Sequence, residues 1–134
     1  MKVVIDTNVL VSGAFFSGPP YEILVACATG NLQLVLSLDI LAEYHRVGLR
    51  FLRTQSDVDF ENLLGMLLRN AVILDNPSLK HPVCRDPDDD KFIACALGGH
   101  AEVIISGDKD LLEIADQIDI PIVTPRVFLN RYMA

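Results

Sequence analysis

No stretch of this sequence stays apolar for the roughly 18 residues that a bilayer-spanning helix needs, although 51% of the chain is hydrophobic. The opening Met1-Lys2-Val3-Val4-Ile5 meets an acid at Asp6, too early for the apolar core of a secretion signal. These two absences lead to the expectation of a soluble, cytoplasmic protein. Cysteine is scarce and unpaired. Cys27, Cys84 and Cys95 are odd in number, widely spaced and without a Cys-x-x-Cys pair, which excludes a disulfide framework and a zinc site. They read as small core hydrophobes of a reducing compartment. Positive charge is also short: 11 Lys and Arg stand against 18 Asp and Glu, giving a net charge of -7 and a pI near 4.7. Such a balance ordinarily opposes a nucleic-acid partner, because phosphate binding draws on cations. The exception is a chain whose carboxylates converge on divalent ions, since each ion returns two positive charges to the site. Where the acids sit therefore matters more than their number.

There is no internal repeat, low-complexity tract or linker in the 134 residues, so residues 1–134 are expected to form one domain. The β-branched run at residues 2–5 reads as a buried strand leading into a helix capped by Thr7 or Asn8. Gly18-Pro19-Pro20 breaks the chain, and a helix is expected over residues 21–29, stopped by Gly30-Asn31. A strand over 32–36 follows, then a helix opened by Ser37 and Asp39 and running to about Leu52. Phe60, Leu63, Leu64, Leu67 and Leu68 keep helical spacing within a helix expected over 56–70, which should pair with its predecessor as a hairpin.

A short strand at 71–74 and an irregular stretch at 75–85 lead to Asp86-Pro87-Asp88-Asp89, the cap, proline and first-turn acids of a helix reaching about Leu97. Strands at 102–105 and 120–123 and helices at 108–115 and 125–132 complete the chain. Strand and helix alternate almost throughout, which indicates an α/β sandwich on a mainly parallel sheet. In such sheets the working crevice lies beyond the carboxyl ends of the strands, where strand order reverses.

Acids recur at those ends. Asp6 closes the first strand, and in Asp6-Thr7-Asn8 the side chains of Thr7 and Asn8 suit a helix cap as well as they suit a metal. Glu43 lies mid-helix beside the apolar Ile40 and Val47; it suits a buried site, or equally an ion pair with Arg46. Capping and the helix dipole account for Asp86, Asp88 and Asp89. Asp90 aligns instead with Ile93, Ala94 and Leu97 on the face that should meet the sheet. Asp108 and Asp110 follow the 102–105 strand through Ser106-Gly107, and either could cap the next helix. Hard oxygen ligands returning to one crevice suit magnesium or manganese, because close carboxylates repel unless a proton or a cation lies between them.

Four segments taken together resemble a known family. They are Asp6-Thr7-Asn8-Val9-Leu10-Val11-Ser12, Glu43-Tyr44, Asp86-Pro87-Asp88-Asp89-Asp90-Lys91-Phe92 and Ser106-Gly107-Asp108-Lys109-Asp110-Leu111. In this order, over residues 1 to about 123, they are similar to the PIN-domain family and especially to its toxin branch in toxin-antitoxin systems. The resemblance implies a three-layer α/β/α sandwich with strand order 3-2-1-4-5. It implies an endoribonuclease site in which Asp6, Glu43, Asp90 and Asp108 bind Mg2+ or Mn2+, with Asn8 and Ser106 in support. Ser106 stands where many members have Thr, and Asp110 competes with Asp108 for the place of fourth ligand. Hydrolysis would leave a 5′-phosphate and a 3′-hydroxyl without a covalent enzyme intermediate. An RNA substrate, a cognate antitoxin and a homodimer are the implied partners.

Arg46, Arg50 and Arg53 form one basic stripe on the helix that carries Glu43, suited to RNA, to an antitoxin or to solvent. Two rival readings stand beside the nuclease. Haloacid-dehalogenase-like phosphatases share an early Asp, but they usually carry a second acid where Asn8 stands. A PIN-like binding module would use its acids only as caps.

Overall fold

Successive side chains of a strand face opposite ways, yet Val3, Val4 and Ile5 are all 0% exposed. The strand they form, β1 (Lys2–Ile5), is therefore covered on both faces, as parallel strands between helical layers are. The computed structural model describes residues 1–53 and 57–133. It adds β2 (Gln33–Ser37), β3 (Val72–Leu74), β4 (Val103–Ile105) and β5 (Ile122–Val123) in one parallel sheet of order β3-β2-β1-β4-β5. This is the expected strand order.

The helices are α1 (Thr7–Phe15), α2 (Pro19–Ala28), α3 (Leu38–Leu52), α4 (Phe60–Leu68), α5 (Asp90–Gly98), α6 (Lys109–Glu113) and α7 (Pro125–Tyr132). Travel along the sheet reverses after β3, so right-handed crossovers send the connections before and after that point to opposite faces. Accordingly α5 packs over β2, β1 and β4, while α1 packs with α2 and α3, and α2 with α4 and α7. No single helix among the described residues is long and apolar enough to cross a membrane.

Several boundaries differ from those expected, each for a local reason. The cap of α1 is Asp6, not Thr7 or Asn8: its Oδ1 accepts the Val9 amide at 2.9 Å. The second helix starts at Pro19, before residue 21, because proline is tolerated in a first turn, whose amides lack helical partners. The helix expected over 56–70 begins at Phe60, where Asp59 caps it by accepting the Asn62 amide; the expected start at Ser56 lies outside the described residues. A separate 3-10 turn, Pro87–Asp89, precedes α5, and a second, Ala115–Gln117, follows α6. Ser37 caps α3 as expected, accepting the Ile40 amide at 3.3 Å.

One buried side chain fixes α3 against the sheet. Tyr44 is 0% exposed, and its hydroxyl donates to the Ile5 carbonyl. That carbonyl lies beyond Val3 and Leu34, the last partners in the ladder between β1 and β2. The bond satisfies a buried acceptor that the ladder leaves over, and it brings Glu43, one residue away, to the carboxyl end of β1.

The α3–α4 pair is closed by Phe60, whose ring stacks on Phe15 at 5.7 Å and lies against Gly48. A Cβ on Gly48 would overlap that ring. Gly→Ala inside a helix ordinarily stabilises by about 0.5–1 kcal/mol, whereas overpacking a core costs about 1–3 kcal/mol. Gly48→Ala should therefore destabilise the protein, lowering the urea midpoint in an equilibrium melt. A raised midpoint would show that the ring moves aside at no cost.

Candidate metal centre

The site grows out of the pairing of β1 with β4. Ile5 and Ile105 are partners in the parallel ladder, and the Asp6 amide makes one further bond, to the Ile105 carbonyl at 3.0 Å. Asp6 and Ser106 thus leave the sheet side by side. Asp6 spends Oδ1 on the α1 cap and accepts the Ser106 hydroxyl at Oδ2. The same Ser106 oxygen accepts the Asp108 amide at 2.9 Å, and Asp108 Oδ1 caps α6 by accepting the Asp110 amide at 2.9 Å. Burial raises the pKa of Asp6, which is 4% exposed; the bonds from Ser106 and the Val9 amide oppose the rise, and the charges of Asp108 and Glu43 add to it.

Glu43 reaches the same place from α3. The Thr7 hydroxyl donates to its Oε2, Lys91 Nζ lies 2.7 Å from its Oε1, and Arg46 Nη2 lies 3.6 Å from Oε1. Lys91 also lies 3.0 Å from Asp88 Oδ2 and holds the Asp88 carboxyl below its usual range. Burial pulls the Lys91 ammonium down, but its bonds to Glu43 and Asp88 outweigh burial and leave its pKa raised.

The acidic run 86–90 sorts itself by partner. Asp86 caps the 3-10 turn by accepting the Asp88 amide at 3.0 Å, and Asp88 pairs with Lys91. Asp90 is not brought to the cleft. Its Oδ1 accepts the Cys84 amide at 2.7 Å and the Val83 amide at 3.2 Å, which ties it to the preceding loop. Asp89 occupies the cap position of α5 but makes no capping bond. It lies among acids: burial first, then the charges of Asp108, Asp86, Asp110 and Asp88, push its pKa to about 7.

One carboxylate oxygen from each of Asp89, Asp108 and Asp110 lies within 4.8 Å of the others, and all three residues are half-buried. Oxygen ligands stand about 2.0–2.6 Å from Mg2+ or Ca2+, so ligands on opposite sides of one ion are about 4–5 Å apart. The donor set fits a hard divalent cation. Asp6, Glu43, Asp89 and Asp108 line a cleft of about 290 Å³, together with Asn8, Arg46 and Arg50. Arg53, at the cap of α3, is exposed and outside that lining.

Asp89 and Lys91 are the residues that sequence reasoning missed. The helical phase that pointed to Asp90 counts from Ile93, Ala94 and Leu97 inside α5 and says nothing of Asp89, which stands ahead of that helix at the end of the 3-10 turn Pro87–Asp89. The Asp88–Lys91 spacing of three was a readable signal for an ion pair; the reach of Lys91 to Glu43 was not. The cysteines are free and buried, and burial pushes all three thiols to about 12.

Comparison with known proteins gives a family match and a relative. The PIN-domain family model matches residues 2–110, a span that holds every acid described above. The chain is similar to an uncharacterized protein of Methanocaldococcus jannaschii, with 32% identity over 146 aligned positions that cover 98% of this chain and 92% of that protein. No solved structure matches the chain significantly.

The crowding has a pH signature. Between about 4, where a free Asp ionises, and about 7, folded Asp89 keeps a proton that the unfolded chain releases. Asp6 acts in the same direction. The native state then binds more protons, so these groups lower stability as pH rises through that window. Urea midpoints in EDTA should show Asp89→Asn gaining on the wild type between pH 5 and pH 7.5, with Mg2+ closing the gap. A difference that does not change with pH would refute the crowding of Asp89.

Proposed function

The chain belongs to the PIN-domain family, and from that premise we propose that it is a metal-dependent endoribonuclease. PIN domains are in general metal-dependent nucleases. The observation that carries the reading is the convergence of Asp89, Asp108 and Asp110 within 4.8 Å, two of which, Asp89 and Asp108, line a cleft together with Arg46 and Arg50. Asp89, Asp108 and Asp110 would hold Mg2+ or Mn2+, with Asp6 beside them and Glu43 in the same cleft. When bound, the cation supplies charge neutralisation at the phosphodiester and a water activated for in-line attack, leaving a 5′-phosphate and a 3′-hydroxyl.

The chain's own residues do the rest. Arg46 and Arg50 supply positive charge for the RNA backbone next to the acids, where an otherwise acidic protein needs it. Ser106 fixes Asp6 and the Asp108 backbone relative to each other. Of the acids implied by the resemblance, Asp6, Glu43 and Asp108 keep a place in this reading. Asp90 becomes the clamp of the preceding loop, and Asp89 takes its position at the metal.

A finer reading makes the protein the toxin of a toxin-antitoxin pair, acting in the cytoplasm as a homodimer. It is supported by the resemblance of residues 6–12 and 106–111 to that branch. An acidic antitoxin tail would meet the same cations, Arg46, Arg50 and Arg53, that receive RNA.

The test is cleavage of mixed single-stranded and structured RNAs in Mg2+, in Mn2+ and in EDTA. Asp89→Asn and Asp108→Asn should each lose more than the roughly 10–100-fold that removal of an outer metal partner costs. Asp90→Asn should lose stability instead. Full activity in both Asp89→Asn and Asp108→Asn would sink the assignment. Arg50→Ala should weaken RNA binding and shallow its salt dependence by about one phosphate contact; an unchanged salt slope would remove Arg50 from the RNA path.

A further inference from the structure

Glu43 offers two carboxylate oxygens, and neither is free. The Thr7 hydroxyl takes Oε2, and the Lys91 ammonium takes Oε1 at 2.7 Å while also reaching Asp88 Oδ2 at 3.0 Å. The Lys91 and Glu43 side chains are only 16% and 12% exposed, whereas Asp88 is 70% exposed. Lys91 is therefore held between α3 and the turn ahead of α5, with its charge directed into the protein. Among the described residues, no lysine or arginine makes an ion pair with Asp89, Asp108 or Asp110. The acids of the centre divide in two: a half-buried triad with no protein cation, and a glutamate that already has one.

We propose, on the metal-dependent reading above, that this centre takes a single divalent ion, at Asp89, Asp108 and Asp110. The Lys91 ammonium fills the position at Glu43 that a second ion would otherwise occupy. A second ion at Glu43 must either displace an ammonium that makes two ion pairs or sit against its like charge. Lys91 cannot replace that ion in every respect, because an ammonium has no exchangeable water to activate. It has three N–H donors, of which Glu43 and Asp88 engage two. It acts as a positioning residue, fixing Glu43 and keeping one positive charge beside that carboxylate whether or not metal is bound.

The test counts ions rather than turnover. Metal-free full-length protein, without RNA, is titrated with Mn2+ by calorimetry, with free Mn2+ followed by electron paramagnetic resonance. The wild type should bind one Mn2+ per chain, Lys91→Met should bind two, and Lys91→Arg should return to one. Two ions on the wild type, or one on a folded Lys91→Met, would overturn the proposal and leave the nuclease reading standing. No Mn2+ on the wild type would overturn both. Should Lys91→Met fail to fold, Glu43→Gln decides: the single ion survives that change if the triad alone holds it, and its loss refutes the division.

Discussion

β1 and β4 run parallel with Ile5 opposite Ile105, and one more backbone bond, from the Asp6 amide to the Ile105 carbonyl, carries the pairing past the end of the ladder. Everything at the site is measured from that rung. Ser106, 0% exposed, sits where its single hydroxyl can donate to Asp6 and accept from the Asp108 amide at the same time. A side chain with only one of those capacities would leave the other partner buried and unmatched. The strand order matters for the same reason: β1 and β4 flank the point where strand order reverses, so the chain leaves their carboxyl ends toward opposite faces and a crevice opens between the two connections, where the acids lie.

Much of this was legible in the sequence. The buried run at residues 2–5, the alternation of strand and helix, the cap at Ser37, a cap at Asp108 or Asp110 and the placing of Asp6 at a strand end all follow from local pattern, because each depends on a few neighbouring residues. The family resemblance supplied the strand order. Local pattern gave the cap at Asp86 and could have given the pairing of Asp88 with Lys91, but not the different fates of the chemically identical Asp89 and Asp90. Roles along this run are decided by the 3-10 turn at Pro87–Asp89, by two amides in a loop six and seven residues back, and by a lysine that bonds across to another helix. The last two are tertiary facts, and helical phase within α5 selects Asp90 without showing that its oxygens go to the Val83 and Cys84 amides.

Electrostatics explains how so acidic a chain can face a polyanion. The net charge of -7 is an average over the whole surface, whereas Arg46 and Arg50 line the cleft and Lys91 pairs with Glu43, another of its lining residues. Asp6 and Asp89 have raised pKa values because they are crowded and partly withdrawn from water. The folded protein therefore carries a local penalty that a cation relieves. On the proposed reading, affinity for a divalent ion and a loss of stability without it would arise from the same packing.

Asp6 serves the fold and the cleft together, since one of its oxygens caps α1 and the other receives Ser106. Asp89 makes no capping bond and stands among like charges. The two acids would fare differently in a lineage that gave up its chemistry. Folding alone would still select for an acceptor at position 6, while position 89 would be free to drift toward a neutral residue that relieves repulsion. On the proposed reading, an acid at 89 is the better marker of a living centre in any descendant of this chain.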